Sequence, residues 1–360
     1  MQYMTTFATS GPRPSPVRRA IGVWLLVCCA AVFTMVVLGG VTRLTRSGLS
    51  MVEWQPLSIL PPLNTAQWQE TFAKYQQFPE YHLRNAGMTL AEFKGIFWLE
   101  YIHRLWGRTI GLIFFVPFAW FVVRRAIDRP LGLRLAGIFL LGGMQGLMGW
   151  LMVKSGLVDR PEVSQYRLTA HLALAVLVYG AMLWVGLDLL APRQPRSGAA
   201  AVDGLRRGAL ALVGLVFLTM MSGGFVAGLK AGLGYNTFPL MNGEFIPDGV
   251  MAMTPVLVNF FENPATVQFD HRMLAETTGI LIIAMWLWRR RAAPAGRVRL
   301  ALDAFGIMAV VQLGLGIATL LLVVPVGLAA THQAGALVLL TLGIWLIHET
   351  MAYAQQRQDT

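Results

Sequence analysis

Four histidines lie near the start of long apolar runs: His103 in EYIHRLWGR, His171 in TAHLALA, His271 in QFDHRMLAE and His332 in THQAGA. An imidazole in such a setting needs a partner, because lipid offers none. Two imidazoles facing each other across a bundle suit a heme iron, which takes axial ligands from both sides. Zinc wants a tetrahedral set, and no cysteine or further carboxylate cluster supplies one. Copper gets no support from the methionine spacing. The spacing therefore predicts two pockets, His103 with His171 and His271 with His332. The other two histidines read as ordinary: His82 as a solvated loop residue, His348 as a basic group near a helix C-terminus.

Heme also carries two propionates, which need positive partners near the water interface. Arg104 and Arg272 each follow the first histidine of a pair, and Arg46 and Lys230 stand at the outer ends of two other apolar runs. All four are expected heme contacts. Gly107 and Thr109 in one half, with Thr277 and Gly279 in the other, are expected to leave room for a flat macrocycle. The pockets differ in one group. Glu100 sits three residues before His103, on the same helix face, whereas Gln268 precedes His271. A carboxylate in a low-dielectric pocket is costly and can move protons or stabilise positive charge. The expected division is chemistry at Glu100 in the first pocket and electron storage or transfer in the second.

The elements that position these groups are membrane spans. Of 360 residues, 56% are apolar and only 13% charged, against about 25% charged in soluble domains; mean hydropathy is +0.57. Eight stretches reach the roughly 20 apolar residues that a span needs: 20–42, 95–123, 132–153, 166–190, 206–228, 268–288, 299–323 and 327–352. The first is too long for a signal-peptide core and reads as retained. The net charge of +11 does not point to nucleic acid, because the basic residues cluster in alternate short loops, as cytoplasmic loops do. That places residues 1–19, the linker 191–205 and residues 353–360 in the cytoplasm. Segments 43–94 and 229–267 face outward, with the stretch at 70–78 as an amphipathic surface helix. Cys28 and Cys29 are adjacent inside the first run and read as small core residues, so no disulfide is expected.

The chain also repeats. GGVTRLTRSGL (39–49) echoes GGFVAGLKAGL (223–233), MQGLMG (144–149) echoes VQLGLG (311–316), and the stretch from His171 to Trp184 echoes that from His332 to Trp345. Four spans per copy is an even number, so both copies enter the membrane from the same side. The predicted class is an all-α integral membrane protein whose eight transmembrane helices form two parallel-repeat four-helix bundles, residues 20–190 and 206–352.

Together, EYIHRLWGR, GGVTRLTRSGLSMVEWQPL, GYNTFPLMNG, FDHRMLA and THQAGA resemble the heme A synthase family of mitochondria and related proteobacteria, over roughly residues 20–350. The resemblance implies oxidation of a porphyrin methyl group of heme O to the formyl group of heme A, for cytochrome c oxidase. It implies a resident heme b on His271 and His332, substrate heme O at His103 and His171, and Glu100 as the catalytic residue. It implies a bacterial inner-membrane location, heme sites toward the outer face, and heme O synthase and cytochrome c oxidase assembly factors as partners. One departure stands out: some bacterial members carry a cysteine pair in the first outer loop, and this sequence has none there. Trp54 and Trp68 are expected to cover the substrate pocket instead. Without the resemblance, a di-heme b-type membrane electron carrier would explain the histidines as well, though not the contrast of Glu100 with Gln268.

Overall fold

A computed structural model describes residues 14–53, 60–156, 163–191 and 199–351. The expectations on Trp54 and most of both termini fall outside the described residues. Among those described, the chain is all helical and has no strand. The helices are α1 (Pro16–Leu44), α2 (Thr65–Tyr75), α3 (Pro79–Arg84), α4 (Leu90–Val123), α5 (Arg129–Gly156), α6 (Gln165–Leu190), α7 (Ala199–Leu229), α8 (Asn259–Glu262), α9 (Pro264–Arg289), α10 (Arg297–Leu321) and α11 (Val326–Met351).

Each of the eight apolar stretches falls on one long helix. Seven of these are long and apolar enough to cross a membrane: α1, α4, α5, α6, α10, α11 and, from Val202, α7. The eighth, α9, has comparable length, but Asp270, His271, Arg272 and Glu276 crowd its first half and lower its apolar character. Local signals start the helices where the site needs them. The Ser15 side chain and Pro16 open α1, a Thr89–Glu92 capping box opens α4, and the Asn263 side chain accepts from Ala265 N and Thr266 N ahead of α9, each satisfying amides that a helix start leaves unpaired. Inside α4, Pro117 has no N–H for the Ile113 carbonyl. The Trp24 indole takes its place, donating to that carbonyl at 2.8 Å.

The centre of the molecule is built from α1, α6, α7 and α11, whose contacts join the two halves of the chain. Arg43 at the end of α1 donates to the carbonyls of Ala227 (3.3 Å) and Gly228 (2.9 Å) at the end of α7. Gln333 of α11 donates to Val36 O at 3.0 Å. Gly40 lies opposite it, where any Cβ would meet the Gln333 amide. Cys28 and Cys29 are buried thiols in this core. His348 is the basic residue of the last turn of α11, as expected. It is also buried, donates from Nε2 to Asp188 Oδ1 at 3.1 Å, and meets Trp184 edge to face, so it ties α11 to α6. A histidine in the last turn looks solvent-facing only while the neighbouring helix is unknown.

Outside this centre the halves differ. α9 and α10 pack closely, whereas α4 and α5 touch far less. Above α4 sits an aromatic cap of Trp68, Tyr75, Phe93 and Phe97. The segment expected to lie on the membrane surface does include part of α2, but the buried Trp68 and Tyr75 turn toward α4 instead of lipid. The reason is the row of aromatic rings on the first turns of α4, which offers Trp68 an edge-to-face partner in Phe97 at 5.0 Å between centroids.

Candidate active site

The four histidines occupy equivalent places. His103 is on α4 and His171 on α6; His271 is on α9 and His332 on α11. The members of each pair are close enough to interact electrostatically. Every ring lies against a glycine of a neighbouring helix. A Cβ added at Gly39 would stand 3.3 Å from His103 Nε2, at Gly149 3.1 Å from His171 Cε1, at Gly223 3.1 Å from His271 Cε1, and at Gly316 3.0 Å from His332 Cε1. The paired glycines of the repeated GG and QGLMG/QLGLG motifs are therefore the floors on which the imidazoles rest.

The outer nitrogens fix which face each ring presents. Ser222 Oγ bonds His271 Nδ1 at 2.8 Å. Gln312 Nε2 lies 3.1 Å from His332 Nδ1 and donates to its carbonyl at 2.9 Å. Nδ1 is the engaged nitrogen in both C-terminal rings: Ser222 Oγ, whose own proton goes to Thr219 O, accepts from His271, whereas the Gln312 amide nitrogen donates to His332. In the first pocket Gln145 Nε2 lies 3.3 Å from His171 Nε2, and His171 Nδ1 is buried without a hydrogen-bond partner. Among the described residues no group of three or more His, Cys, Asp and Glu could hold a metal ion. The donor set is two imidazoles per pocket, which fits heme iron and not a tetrahedral site.

A clamp stands above each pocket. Glu100 is 2% exposed. Its carboxylate accepts from Ser50 Oγ (2.7 Å), Met51 N (2.7 Å) and Arg104 Nε (2.9 Å), and pairs with Arg104 Nη2. Arg104 Nη2 in turn donates to Met51 O at 2.8 Å. In the other half, Gln268 accepts from Tyr235 N at 3.2 Å and donates to Tyr235 O at 2.8 Å, while Arg272 donates to Tyr235 O (2.7 Å) and Thr237 O (2.9 Å). Met51 and Tyr235 occupy the same place in the repeat. Each clamp is thus a polar residue and an arginine one turn apart, gripping the segment that follows the first helix of its half. Arg46 and Lys230, also repeat-matched, both adopt left-handed backbone, φ 56° and 54°. Few non-glycine residues adopt it, and here it turns the chain out of the helix end in both halves.

Arg104 therefore faces two ways. Besides its clamp, it lines a cleft of about 270 Å³ together with Met51, Val52, Glu53, Trp150, Val153 and Lys154. Lys154, which the sequence reading missed, rests over the Trp150 ring at 4.9 Å. Its only sequence signal was a lone lysine ending an apolar run. Arg272 is buried and Arg46 exposed. The room expected beside Gly279 is filled, since a Cβ there would meet the Leu313 side chain at 2.6 Å, and Gly107 faces Met35 at 3.2 Å. These two glycines serve helix packing; the glycines that face the histidines lie on the neighbouring helices.

The profile of a family described as cytochrome oxidase assembly protein matches residues 22–344. Similar proteins include the heme A synthase of Nitrosospira multiformis, 58% identical over 334 residues, which are 92% of this chain and 94% of that protein. The heme A synthase of Paramagnetospirillum magneticum is 53% identical over 352 residues, 96% of this chain and 99% of its own length. The mouse protein named heme A synthase COX15 is 48% identical over 338 residues, 92% of this chain and 82% of its own.

Proposed function

The chain belongs to the cytochrome oxidase assembly family of heme A synthases, and from that premise we propose how its two pockets divide the work. It is a membrane oxidoreductase that converts heme O to heme A by oxidising a porphyrin methyl group to a formyl group. In our reading α1, α4, α5 and α6 form one four-helix repeat and α7, α9, α10 and α11 the other, eight spans in all. Both termini are cytoplasmic and the histidines lie toward the outer face of a bacterial inner membrane. The matched histidine–glycine contacts and the two clamps support the repeat; the distribution of arginines supports the orientation.

His271 and His332 would hold a resident heme b, their rings steadied at Nδ1 by Ser222 and Gln312. Bound there, it supplies one-electron transfer. His103 and His171 receive heme O, which enters from the lipid where α4 and α5 stand apart. Arg104 and Lys154 meet its propionates in the cleft beside Trp150. Lys230 and Arg272 face the second heme, and Arg46 stands at the mouth of the first. Glu100 stabilises positive charge that develops at the reacting methyl carbon or accepts its proton. Heme O synthase supplies the substrate and cytochrome c oxidase assembly factors take the product.

A single observation carries the division of labour: two matching clamps, one closed by a carboxylate and the other by an amide. The test is the extracted-pigment profile of Glu100→Gln supplied with heme O. Heme A should vanish while the absorbance of the resident heme stays. Undiminished heme A from this variant would remove Glu100 from the chemistry.

A further inference from the structure

A second acid lies beneath the aromatic cap. Glu80 on the short α3 is 5% exposed, and its hydrogen-bond partner Tyr75 belongs to the aromatic cap, against which Met51 also packs. Its carboxylate accepts from the Tyr75 hydroxyl at 3.3 Å, and that hydroxyl accepts from Asn85 Nδ2 at 2.6 Å. Tyr75 is fully buried and its ring lies 5.1 Å from Phe93 of α4. A buried carboxylate usually has a cation or several donors; among the described residues Glu80 has one hydroxyl. The charged and titratable groups that act on it are Tyr75 from α2, Arg46 from the turn after α1, and Glu100 from α4. Burial first, and the charge of Glu100 second, push its carboxyl up to about 7; the Tyr75 hydroxyl and Arg46 pull the other way.

We propose that Glu80 is the proton-holding partner of Glu100, accepting protons that leave the first pocket and passing them to water outside the cap. Turning a methyl into a formyl group requires protons to cross between a water-poor pocket and solvent, and Glu100 is itself closed in by Ser50, Met51 and Arg104. Glu80 makes no contact with the reacting carbon in this scheme. It acts through Glu100 and is a positioning residue. The proposal rests on Glu100 serving the reaction.

The test uses the full-length protein with its resident heme. Infrared difference spectra between acid and alkaline pH should show a carboxyl C=O band that titrates near neutrality and is lost in Glu80→Gln. In Glu100→Gln the midpoint of that band should fall, because a neighbouring negative charge has gone. In Tyr75→Phe it should rise, because a donor to the ionised form has gone; this variant keeps the acid should Glu80→Gln fold poorly. The pH profile of heme A formation should lose its neutral step in Glu80→Gln, with the heme spectrum unchanged. A band in the ordinary carboxylate range, a midpoint that ignores Glu100→Gln, or an unaltered pH profile in Glu80→Gln would each overturn the proposal. Heme A made by Glu100→Gln would instead refute the role of Glu100, so the two failures are distinct.

Discussion

Removing Glu100 should do two separable things, because the residue closes a clamp and, in our proposal, also serves the chemistry. In Glu100→Ala the Met51 amide loses its acceptor and Arg104, whose side chain is 12% exposed, loses its carboxylate partner while still donating to Met51 O. Ser50 loses little, since its hydroxyl also reaches Ser47 O at 3.0 Å and Ile96 O at 3.3 Å. Breaking a buried pair from one side costs about 3–5 kcal/mol. Glu100→Gln should cost less. The amide of Gln268 shows that a glutamine can still accept from the amide of the gripped segment, which leaves the charge-assisted bonds to Arg104 as the loss, about 1.5–3 kcal/mol. Unfolding of the full-length protein by SDS in mixed micelles reads both. The expected order is wild type, then Gln, then Ala, while both variants make no heme A. If Glu100→Ala unfolds with wild type, the clamp does not hold the outer segment. If the Gln variant is as damaged as the Ala variant, the comparison with Gln268 fails, and lost activity could not be assigned to lost charge.

Three further outcomes follow from the same contacts. Gly223→Ala or Gly316→Ala places a methyl group 3.1 or 3.0 Å from an imidazole carbon; each should reduce the resident heme per protein in the purified absorbance spectrum, whereas Gly137→Ala, with nothing within 4 Å, should not. Trp24→Phe strands the Ile113 carbonyl that Pro117 already leaves without an amide, so it should destabilise by about 1–3 kcal/mol in the SDS assay, and a neutral result would show that another donor reaches that carbonyl. Glu80 gives a pH dependence. Its carboxyl moves from 4.5 to about 7 on folding, so the folded chain holds a proton that the unfolded chain lacks between those values. Stability is full below about pH 4.5 and falls by about 3 kcal/mol as the pH rises through 7; Glu80→Gln should flatten that slope.

Much of the architecture was legible because lipid imposes length and polarity on each span. All eight stretches fell on long helices, and the four histidines singled out by repetition lie on α4, α6, α9 and α11. The glycines that floor the histidines were visible as motifs, but their use was not. They lie one helix away from the rings they face, and periodicity along one helix says nothing about its neighbour. The same limit hid His348, whose partner Asp188 is 160 residues away, and Lys154, which gains meaning only beside Arg104 in the cleft. Glu80 was invisible for another reason. It lies in the polar segment between α1 and α4, where an acid reads as solvated until α2 and α3 fold an aromatic cap around it.

The duplication makes the molecule its own control. Each half grips the segment after its first helix with a polar residue and an arginine four positions later, so geometry alone needs no carboxylate at the first of these places. Gln268 meets the same amide at lower electrostatic cost. A buried acid is expensive in a membrane, yet one half keeps it and adds a second, Glu80, within reach of its charge. The same half has the looser α4–α5 contact and the cleft lined by two cations. The looser contact, the cation-lined cleft and the acids Glu100 and Glu80 therefore belong to one half of a scaffold whose other half holds its rings by Ser222 and Gln312. If the first half were only a second heme holder, its departures from the second would have no common cause; access for a substrate and a route for its protons supply one.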